Sequence, residues 1–266
     1  MKILANRLGV LLLAGLWIIS AAAAETTIKV GVYDYPPYAV ETNQGFEGPT
    51  VALVKLLNEV QTRYHFVLTP TTARRRYKDF ASGEFDVIFF EQVLWGWQNY
   101  PLLESQRFVS GGEIMITQLK TRRNQDYFND ITDKRLLGVL GYHYGFADFN
   151  SDVDYLTQTF SIHLVKNQQK VIELIVQEKA DIGIVDKAYF LYYLRKHPEY
   201  RDELYYSEHY DQSYQHGALL REKGPIPLTA FNQMLQKLKQ NGQLARLLQQ
   251  YELDEFTSTT HNSTSR

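Results

Sequence analysis

Cysteine is absent from the 266-residue sequence, and this absence excludes several kinds of chemistry. A chain without thiols forms no disulfide, carries no lipid on cysteine and builds no cysteine-ligated zinc site. The seven histidines show no ligand spacing such as His-x-x-x-His, so no metal is expected. The glycines at 141 and 145 do not match a phosphate-binding motif, and no organic cofactor is expected either.

An excess of positive charge is also lacking. The 28 Lys and Arg residues face 30 Asp and Glu residues, which gives a formal net charge of −2. Proteins that bind nucleic acid concentrate basic residues on one face, and no such footprint is visible here. No nucleic-acid partner is therefore expected.

Long apolar runs are missing except near the first residue. Leu11–Ile19 form a short apolar run behind Lys2 and Arg7, and four alanines follow it up to position 24. This pattern predicts a cleavable secretory signal peptide over residues 1–24 and a soluble periplasmic protein. The alternative is a membrane anchor, for which the run is short, since a spanning helix needs roughly 20 apolar residues.

The remaining chain alternates between strand-like and helix-like segments, which is typical of an α/β fold with mostly parallel strands. Gly48-Pro49 predicts a helix start, because proline suits a first helical turn. The Ser/Thr-rich tail over 257–266 is expected to be disordered. Strands are predicted at 27–32, 66–68, 86–90, 136–140, 160–164, 181–185 and 217–220, and helices from 49, at 74–81, at 167–177 and within 227–251.

One segment is echoed later in the chain. Residues 81–91 align with residues 176–186: in both, a helix ends, an aspartate opens an apolar strand, and an acid follows five residues later. The two acids are Glu91 and Asp186. Ligands of open α/β sheets lie beyond the carboxyl ends of parallel strands, which is where these acids are predicted to be. Two lobes built on one plan would produce the echo, as would chance similarity of two common helix–strand units.

In this order and spacing, these segments resemble the family 3 extracellular solute-binding proteins that supply polar amino acids to ABC uptake transporters. The resemblance covers roughly residues 27–252. Its marks are YPPY after the first strand, GFEGPTVALVKLL, GEFDV, EKADIGIVD, and the closing FNQMLQKLKQNGQLARLLQQY.

The resemblance implies a two-lobed periplasmic binding protein fold of type II, with the ligand in a cleft between the lobes. Lobe one would comprise 25–112 plus 212–256, and lobe two 113–211. It further implies a monomer that captures a small molecule, docks on an ABC transporter permease in the inner membrane, and catalyses nothing.

Two positions of the family pattern concern the ligand's charges. Asp186 matches the aspartate that holds the ligand's amino group. Trp97 stands where the family carries an arginine for the α-carboxylate, and tryptophan offers no such fork of donors. Simple amino acids are therefore expected to bind weakly. The alternative for Asp186 is a cap on the helix that begins at Lys187.

Aromatic residues are further candidates for the cleft. Tyr35 and Tyr38 follow the first strand, where the family covers its ligand with an aromatic ring. Packing against the local prolines is the alternative. Tyr142 lies in the lobe-two turn at which backbone N–H groups meet anionic ligand groups. His143 beside it is predicted to be a polar surface residue.

Two charged residues complete the candidate set. Glu91 would form an acidic pair with Asp186, suited to an amine, or would simply be solvated. Arg75, in the run Arg74 to Arg76, would replace the missing carboxylate clamp, or would be part of a solvated basic face. The rival functions are a sensor that presents its solute to a membrane receptor and a dehydratase of cyclohexadienyl acids, with Glu91 as acid and Arg75 as clamp.

Overall fold

The computed structural model describes residues 25–121 and 123–256. The signal peptide predicted for 1–24 and the tail at 257–266 lie outside these described residues. Within them, no helix combines the length and the apolar character that crossing a membrane requires.

Strands and helices alternate along most of the chain, as the sequence predicts. The strands are β1 (Thr26–Val32), β2 (Val40–Thr42), β3 (Gly45–Glu47), β4 (Tyr64–Pro70), β5 (Val87–Glu91), β6 (Leu102–Glu104), β7 (Val109–Gln118), β8 (Leu136–Val139), β9 (Ile162–Val165), β10 (Ile182–Asp186), β11 (Leu204–Arg221) and β12 (Asp254–Glu255). The helices are α1 (Pro49–Glu59), α2 (Arg76–Ser82), α3 (Val153–Thr159), α4 (Gln168–Val176), α5 (Lys187–Lys196), α6 (Leu228–Gln240) and α7 (Gln243–Gln250).

The strands form a mixed sheet with two parallel groups. Their order is β4-β1-β5-β11-β7-β10-β8-β9, with β6 beside β11 and β12 beside β7. Strands β4, β1 and β5 are parallel to one another, and so are β10, β8 and β9. The long antiparallel pair β7 and β11 connects the two groups. We call the first group with α1, α2, α6 and α7 the first lobe, and the second group with α3, α4 and α5 the second lobe.

Turn chemistry places the helices of the first lobe. Gly48 precedes α1 with φ of 111°, a conformation that a side chain would oppose, and Pro49 then occupies the first helical turn. Leu53 and Leu57 lie one turn apart on the buried face of this helix. Gly83 ends α2 in the left-handed region, where its N–H caps carbonyls of the last turn.

The similarity between residues 81–91 and residues 176–186 has a structural basis. Oδ2 of Asp86 accepts the backbone N–H of Lys29 at 3.0 Å and ties the start of β5 to β1. Oδ2 of Asp181 accepts the backbone N–H of Arg135 at 2.9 Å and ties β10 to β8 in the same way. An aspartate thus fixes the entry of one buried parallel strand in each lobe.

Replacing Asp181 is expected to weaken the second lobe. Asp181→Ala removes the acceptor of the Arg135 N–H and of its guanidinium, whose Nε lies 2.9 Å away. We expect a loss of about 1–2 kcal/mol in the free energy of unfolding, measured by urea denaturation. Asp202→Ala changes an exposed acid of the same lobe and serves as the control. Equal losses in the two variants would contradict this role of Asp181.

Candidate ligand-binding cleft

A small cavity lies where the lobes meet, beyond the carboxyl ends of the parallel strands. Its volume is about 10 Å³, which is close to the space of one water molecule. Side chains therefore fill the cleft in this closed arrangement. They are Tyr33, Tyr35, Arg76 and Trp95 from the first lobe, His143 and Tyr142 from the second lobe, and Glu113 from the connecting strand β7.

Polar contacts hold the lobes together around this cavity. Gln168, at the start of α4, is fully buried, and its Nε2 donates to the carbonyl of Pro36 at 2.6 Å. Its Oε1 accepts the backbone N–H of Asp186 at 2.6 Å. A second bridge joins the Tyr77 hydroxyl of α2 to Nε2 of His143 at 2.7 Å.

The first lobe contributes a buried ion pair. Nε of Arg76 lies 3.0 Å from Oε1 of Glu91, and the two side chains are only 2% and 0% exposed. Glu91 also accepts the Tyr33 hydroxyl and Nε1 of Trp97, each at 2.8 Å. Burial raises the pKa of Glu91, whereas the charge of Arg76 acts to lower it. The guanidinium further contacts the face of Tyr77, with 4.3 Å to the ring centre.

A bulge in β5 directs Glu91 inward. Phe89 pairs with Ala218 and Glu91 with Gly217, so Phe90 is an extra residue between two paired positions. Its φ of 58° lies in the left-handed region, which is rare and strained for an aromatic residue. All five residues of β5 are buried, and the strand ends with its carboxylate inside the cleft.

The second side of the cleft carries acids without basic partners. Glu113 on β7 pairs in register with Asp186 on β10, and both are almost completely buried. Among the described residues, neither forms a salt bridge; Glu113 accepts Nε2 of Gln212 at 2.9 Å. Burial, and then the charges of Asp211 and Asp186, raise the pKa of Glu113 well above its usual range.

Asp186 has a structural role in addition to its position in the cleft. Its Oδ1 accepts the backbone N–H of Tyr189 at 2.9 Å and caps α5, which is the alternative that the sequence left open. Its Oδ2 accepts the hydroxyl of Tyr214. Burial raises the pKa of Asp186 to about 6, although both hydrogen bonds act to lower it.

His143 is buried, and the expectation of a surface histidine is wrong. The residue is 6% exposed, because the turn after β8 folds its ring against α2. Nδ1 donates to the carbonyl of Phe149 at 2.6 Å, and Nε2 meets the Tyr77 hydroxyl. Burial lowers the pKa of His143 to about 4, and the nearby charge of Arg76 acts in the same direction.

Besides Nε of Arg76, which faces Glu91 as an ion pair, two buried polar groups of the cleft have no hydrogen-bond partner among the described residues. One is the hydroxyl of Tyr35, a residue that is 4% exposed and lines the cavity. The other is the ring of His216, which is stacked 4.1 Å from the ring of Tyr214. Tyr35 also meets Tyr142 and Trp95 edge to face at 5.6 and 6.0 Å.

The structure brings five of the seven candidate residues to this region. Tyr35 and Tyr142 line the cavity, Glu91 contacts the lining residues Tyr33 and Arg76, and Asp186 pairs in register with the lining residue Glu113. Trp97 is fully buried, and its Nε1 donates a hydrogen bond to Glu91.

Tyr38 and Arg75 have other surroundings. Tyr38 packs on Phe90 with ring centres 4.7 Å apart and does not line the cavity. Arg75 is not brought to the cleft: its side chain is 66% exposed and pairs with Asp79, whose side chain is 12% exposed.

The candidate set from the sequence omitted several residues of the cleft, among them Arg76, Glu113 and Gln168. Arg76 carried a usable signal, because it precedes Phe80 by one helical turn and therefore shares its buried face. Glu113 carried a second signal, as a lone acid leading into an apolar strand. Gln168 carried none, since a glutamine at a helix start is usually solvated.

A second, open groove of about 420 Å³ runs beside the connecting strands. Its lining includes Leu94, Arg107 and Tyr210, and it contains none of the buried acids of the cleft. No group of three or more His, Asp or Glu side chains within residues 25–121 and 123–256 is arranged to hold a metal ion.

Comparisons with known proteins rest on structure. No protein-family model and no curated protein matches the chain in sequence. A mutant of the ArgBP of T. maritima is 18% identical, with a TM-score of 0.66, over 85% of this chain and 95% of that one. An ABC uptake transporter substrate-binding protein of Streptococcus pneumoniae with bound histidine is 15% identical, with a TM-score of 0.68, over 85% and 92%.

The ancestral amino-acid-binding protein AncCDT-1, described as a precursor of cyclohexadienyl dehydratase, is also similar. It is 17% identical with a TM-score of 0.66, over 85% of this chain and 95% of that one. The chain therefore has the two-lobed α/β fold of the periplasmic solute-binding proteins, which confirms the fold expected from the sequence.

Proposed function

We propose that this protein is a periplasmic solute-binding protein that captures a small, amine-bearing solute between its lobes for uptake by an ABC transporter. The observation that carries the proposal is the buried carboxylate of Asp186 at the end of β10, which forms no salt bridge among the described residues. Buried acids without a cation are unfavourable, and an ammonium group placed beside them removes that penalty. Two structural neighbours, one with bound histidine and one bound to L-arginine, support the same interpretation.

Binding requires the lobes to separate. A cavity of about 10 Å³ holds no organic solute, so a ligand enters only when the contacts through Gln168 and His143 open. The connecting strands β7 and β11 are the two points about which such an opening would occur. We propose the lobe boundaries 25–112 plus 212–256 and 113–211, and a monomeric protein that presents its closed form to a permease.

Two substitutions at Asp186 separate the roles of anchor and cap. Asp186→Asn keeps an oxygen that caps α5 but removes the charge, because asparagine is as good a cap as aspartate. We expect it to weaken amine binding about tenfold to a hundredfold while the melting temperature changes little. Asp186→Ala loses both charge and cap, and should lower affinity and stability together.

The ligand is found first by a thermal-shift screen of amino acids, polyamines, small organic acids and cyclohexadienyl acids. Binding to the folded state adds about 2.7 kcal/mol of stability at a hundredfold excess over the dissociation constant. Unchanged affinity for the identified solute in Asp186→Asn would refute the anchor. Helix content, followed by circular dichroism, reports on the cap independently.

A catalytic role has one observation in its favour. Glu91 is a buried acid with a raised pKa beside Arg76, an arrangement suited to giving a proton to a bound anion. Product formation from a cyclohexadienyl acid, lost in Glu91→Gln, would support this second function. Stable binding without turnover would support the transport function.

A further inference from the structure

The charged groups of the cleft differ from what a zwitterionic α-amino acid requires. Such a ligand brings one ammonium and one carboxylate, and each needs an unoccupied partner of opposite sign. The charged residues lining the cavity are Arg76 and Glu113. The arginine is already paired with Glu91, whereas the glutamate forms no salt bridge among the described residues.

A ligand carboxylate would have to compete for Arg76. Glu91 is held in place by the Tyr33 hydroxyl and Nε1 of Trp97, each at 2.8 Å, so it does not turn away freely. The full burial of Glu91 also keeps the ion pair away from water. The attraction between the two charges is stronger in these surroundings than it would be in water. A second carboxylate would then share one guanidinium with the first. His143 offers no replacement, because burial keeps its ring neutral.

An ammonium group finds the opposite situation. Glu113 lies beside Asp186 in register, and both carboxylates are buried with no cation paired to them in the described part of the chain. The Tyr35 hydroxyl, which lines the same cavity, is a buried acceptor without a partner among those residues. The rings of Tyr142 and Trp95 complete a surface that attracts cations.

From these contacts we infer that the solute is an organic amine without a carboxylate, that Glu113 is its second charged contact, and that the Arg76–Glu91 pair excludes α-amino acids. This inference rests on the proposed function, since it concerns the same cleft. It specifies the substrate class: a decarboxylated amine is accepted, and the parent amino acid is rejected.

Matched pairs of compounds test the inference on the unmodified protein. Histamine and histidine, tyramine and tyrosine, and agmatine and arginine each differ by one carboxylate. We expect at least one amine to bind at least about tenfold more tightly than its amino acid, measured by calorimetry. An amino acid that binds as tightly as its amine would overturn the inference and leave the proposed function intact. If neither series binds and the thermal-shift screen finds no other amine-bearing solute, the proposed function itself fails.

Variants identify the residues responsible. Glu113→Gln should weaken the amine about tenfold to a hundredfold, and Tyr35→Phe should weaken it by a smaller factor, because each removes one acceptor. Glu208→Gln changes an exposed acid of β11 and should leave affinity unchanged. Unchanged amine binding in Glu113→Gln would overturn its assignment.

One further variant should reverse the selectivity. Glu91→Gln removes the carboxylate that occupies Arg76, so the affinity for the amino acid should rise relative to the amine. A selectivity ratio identical to that of the unmodified protein would contradict the exclusion by the ion pair. Because the ratio is measured within one variant, a loss of stability does not obscure it.

Discussion

Arg76→Met is expected to lower the free energy of unfolding by about 3–5 kcal/mol at neutral pH, the loss typical of breaking one side of a buried ion pair. The substitution leaves the carboxylate of Glu91 fully buried, with only the neutral donors of Tyr33 and Trp97. The methionine occupies much of the same volume, so packing contributes little to the change. Urea denaturation followed by tryptophan fluorescence measures the loss.

The pH dependence of this loss shows whether the unpaired charge is its cause. Without Arg76, the pKa of Glu91 rises further, because the charge that most strongly opposed the effect of burial is gone and the hydrogen bonds from Trp97 and Tyr33 remain. A raised folded-state pKa means that the folded variant takes up a proton before the unfolded chain does. The deficit of the variant relative to the unmodified protein should therefore shrink as the pH falls. A deficit that stays constant between pH 7 and pH 5 would point to lost packing instead.

Arg75→Met provides a matched control one residue away. Arg75 is 66% exposed, and Asp79 keeps the Thr71 hydroxyl as a donor at 2.6 Å, so the loss of Arg75 should change stability by less than about 0.5 kcal/mol. In the double variant Arg76→Met, Glu91→Gln, part of the stability should return, since no unpaired charge remains. Equal destabilisation by Arg75→Met and Arg76→Met would contradict the structure of this site.

The contrast between these two arginines shows what sequence patterns resolve and what they do not. The basic run Arg74 to Arg76 was recognised as a source of the carboxylate clamp. Its three arginines differ only in the side of the helix on which each one lies. Phe80 and Asp79 are buried on α2 together with Arg76, and this face determines which arginine enters the cleft. A shift of one residue turns a helix by about 100°, so recognising the run did not identify the residue.

The parallel strands were predictable because both of their faces are buried. Strands β5 and β10 are uniformly buried, and their apolar runs were correctly read as strands. The connecting strand β11 was predicted only from 217 to 220, yet it runs over Leu204–Arg221. Its first part is mostly exposed, with register shifts near Tyr210, and buried and exposed residues alternate only after that point, so its sequence resembles a polar loop.

The candidate site was predictable to the extent that strand ends locate it. Glu91 and Asp186 were identified because acids at the carboxyl ends of parallel strands converge in such folds. The partners of these acids come from elsewhere in the chain: Trp97 donates to Glu91, and Tyr214 donates to Asp186. Contacts of this kind depend on tertiary structure, and a local pattern contains no information about them.

Protonation of His143 is expected to account for a loss of up to about 3 kcal/mol in stability between pH 7.5 and pH 4. Its folded-state pKa is lowered to about 4 from an ordinary value of 6.5, chiefly by burial. Between these values the unfolded chain binds the proton and the folded protein does not, so stability falls as the pH falls. Each unit of difference corresponds to about 1.36 kcal/mol, which gives the size of the effect.

Another buried group opposes this trend in the unmodified protein. The pKa of Asp186 is raised to about 6, so the folded protein binds that proton first, and stability from this group rises as the pH falls from 6. The contribution of His143 is therefore isolated by comparison with a variant. His143→Gln retains the size and polarity of the side chain but cannot take up a proton, and Asp186 remains common to both proteins.

The stability difference between the unmodified protein and His143→Gln should consequently shrink by about 2–3 kcal/mol as the pH falls from 7.5 to 4.5. His163→Gln, which replaces an exposed histidine of the same lobe, is measured in parallel as the control. The two variants are compared by how much their stability difference from the unmodified protein changes with pH. A difference that does not change with pH would mean that the pKa of His143 is the same in the folded and unfolded chains. A difference that grows as the pH falls would mean that His143 is already protonated in the folded protein at neutral pH. Nε2 would then donate to Tyr77, whose own proton would be free for the carbonyl of Trp95, 2.6 Å away. The pH series thus decides which proton arrangement joins the two lobes.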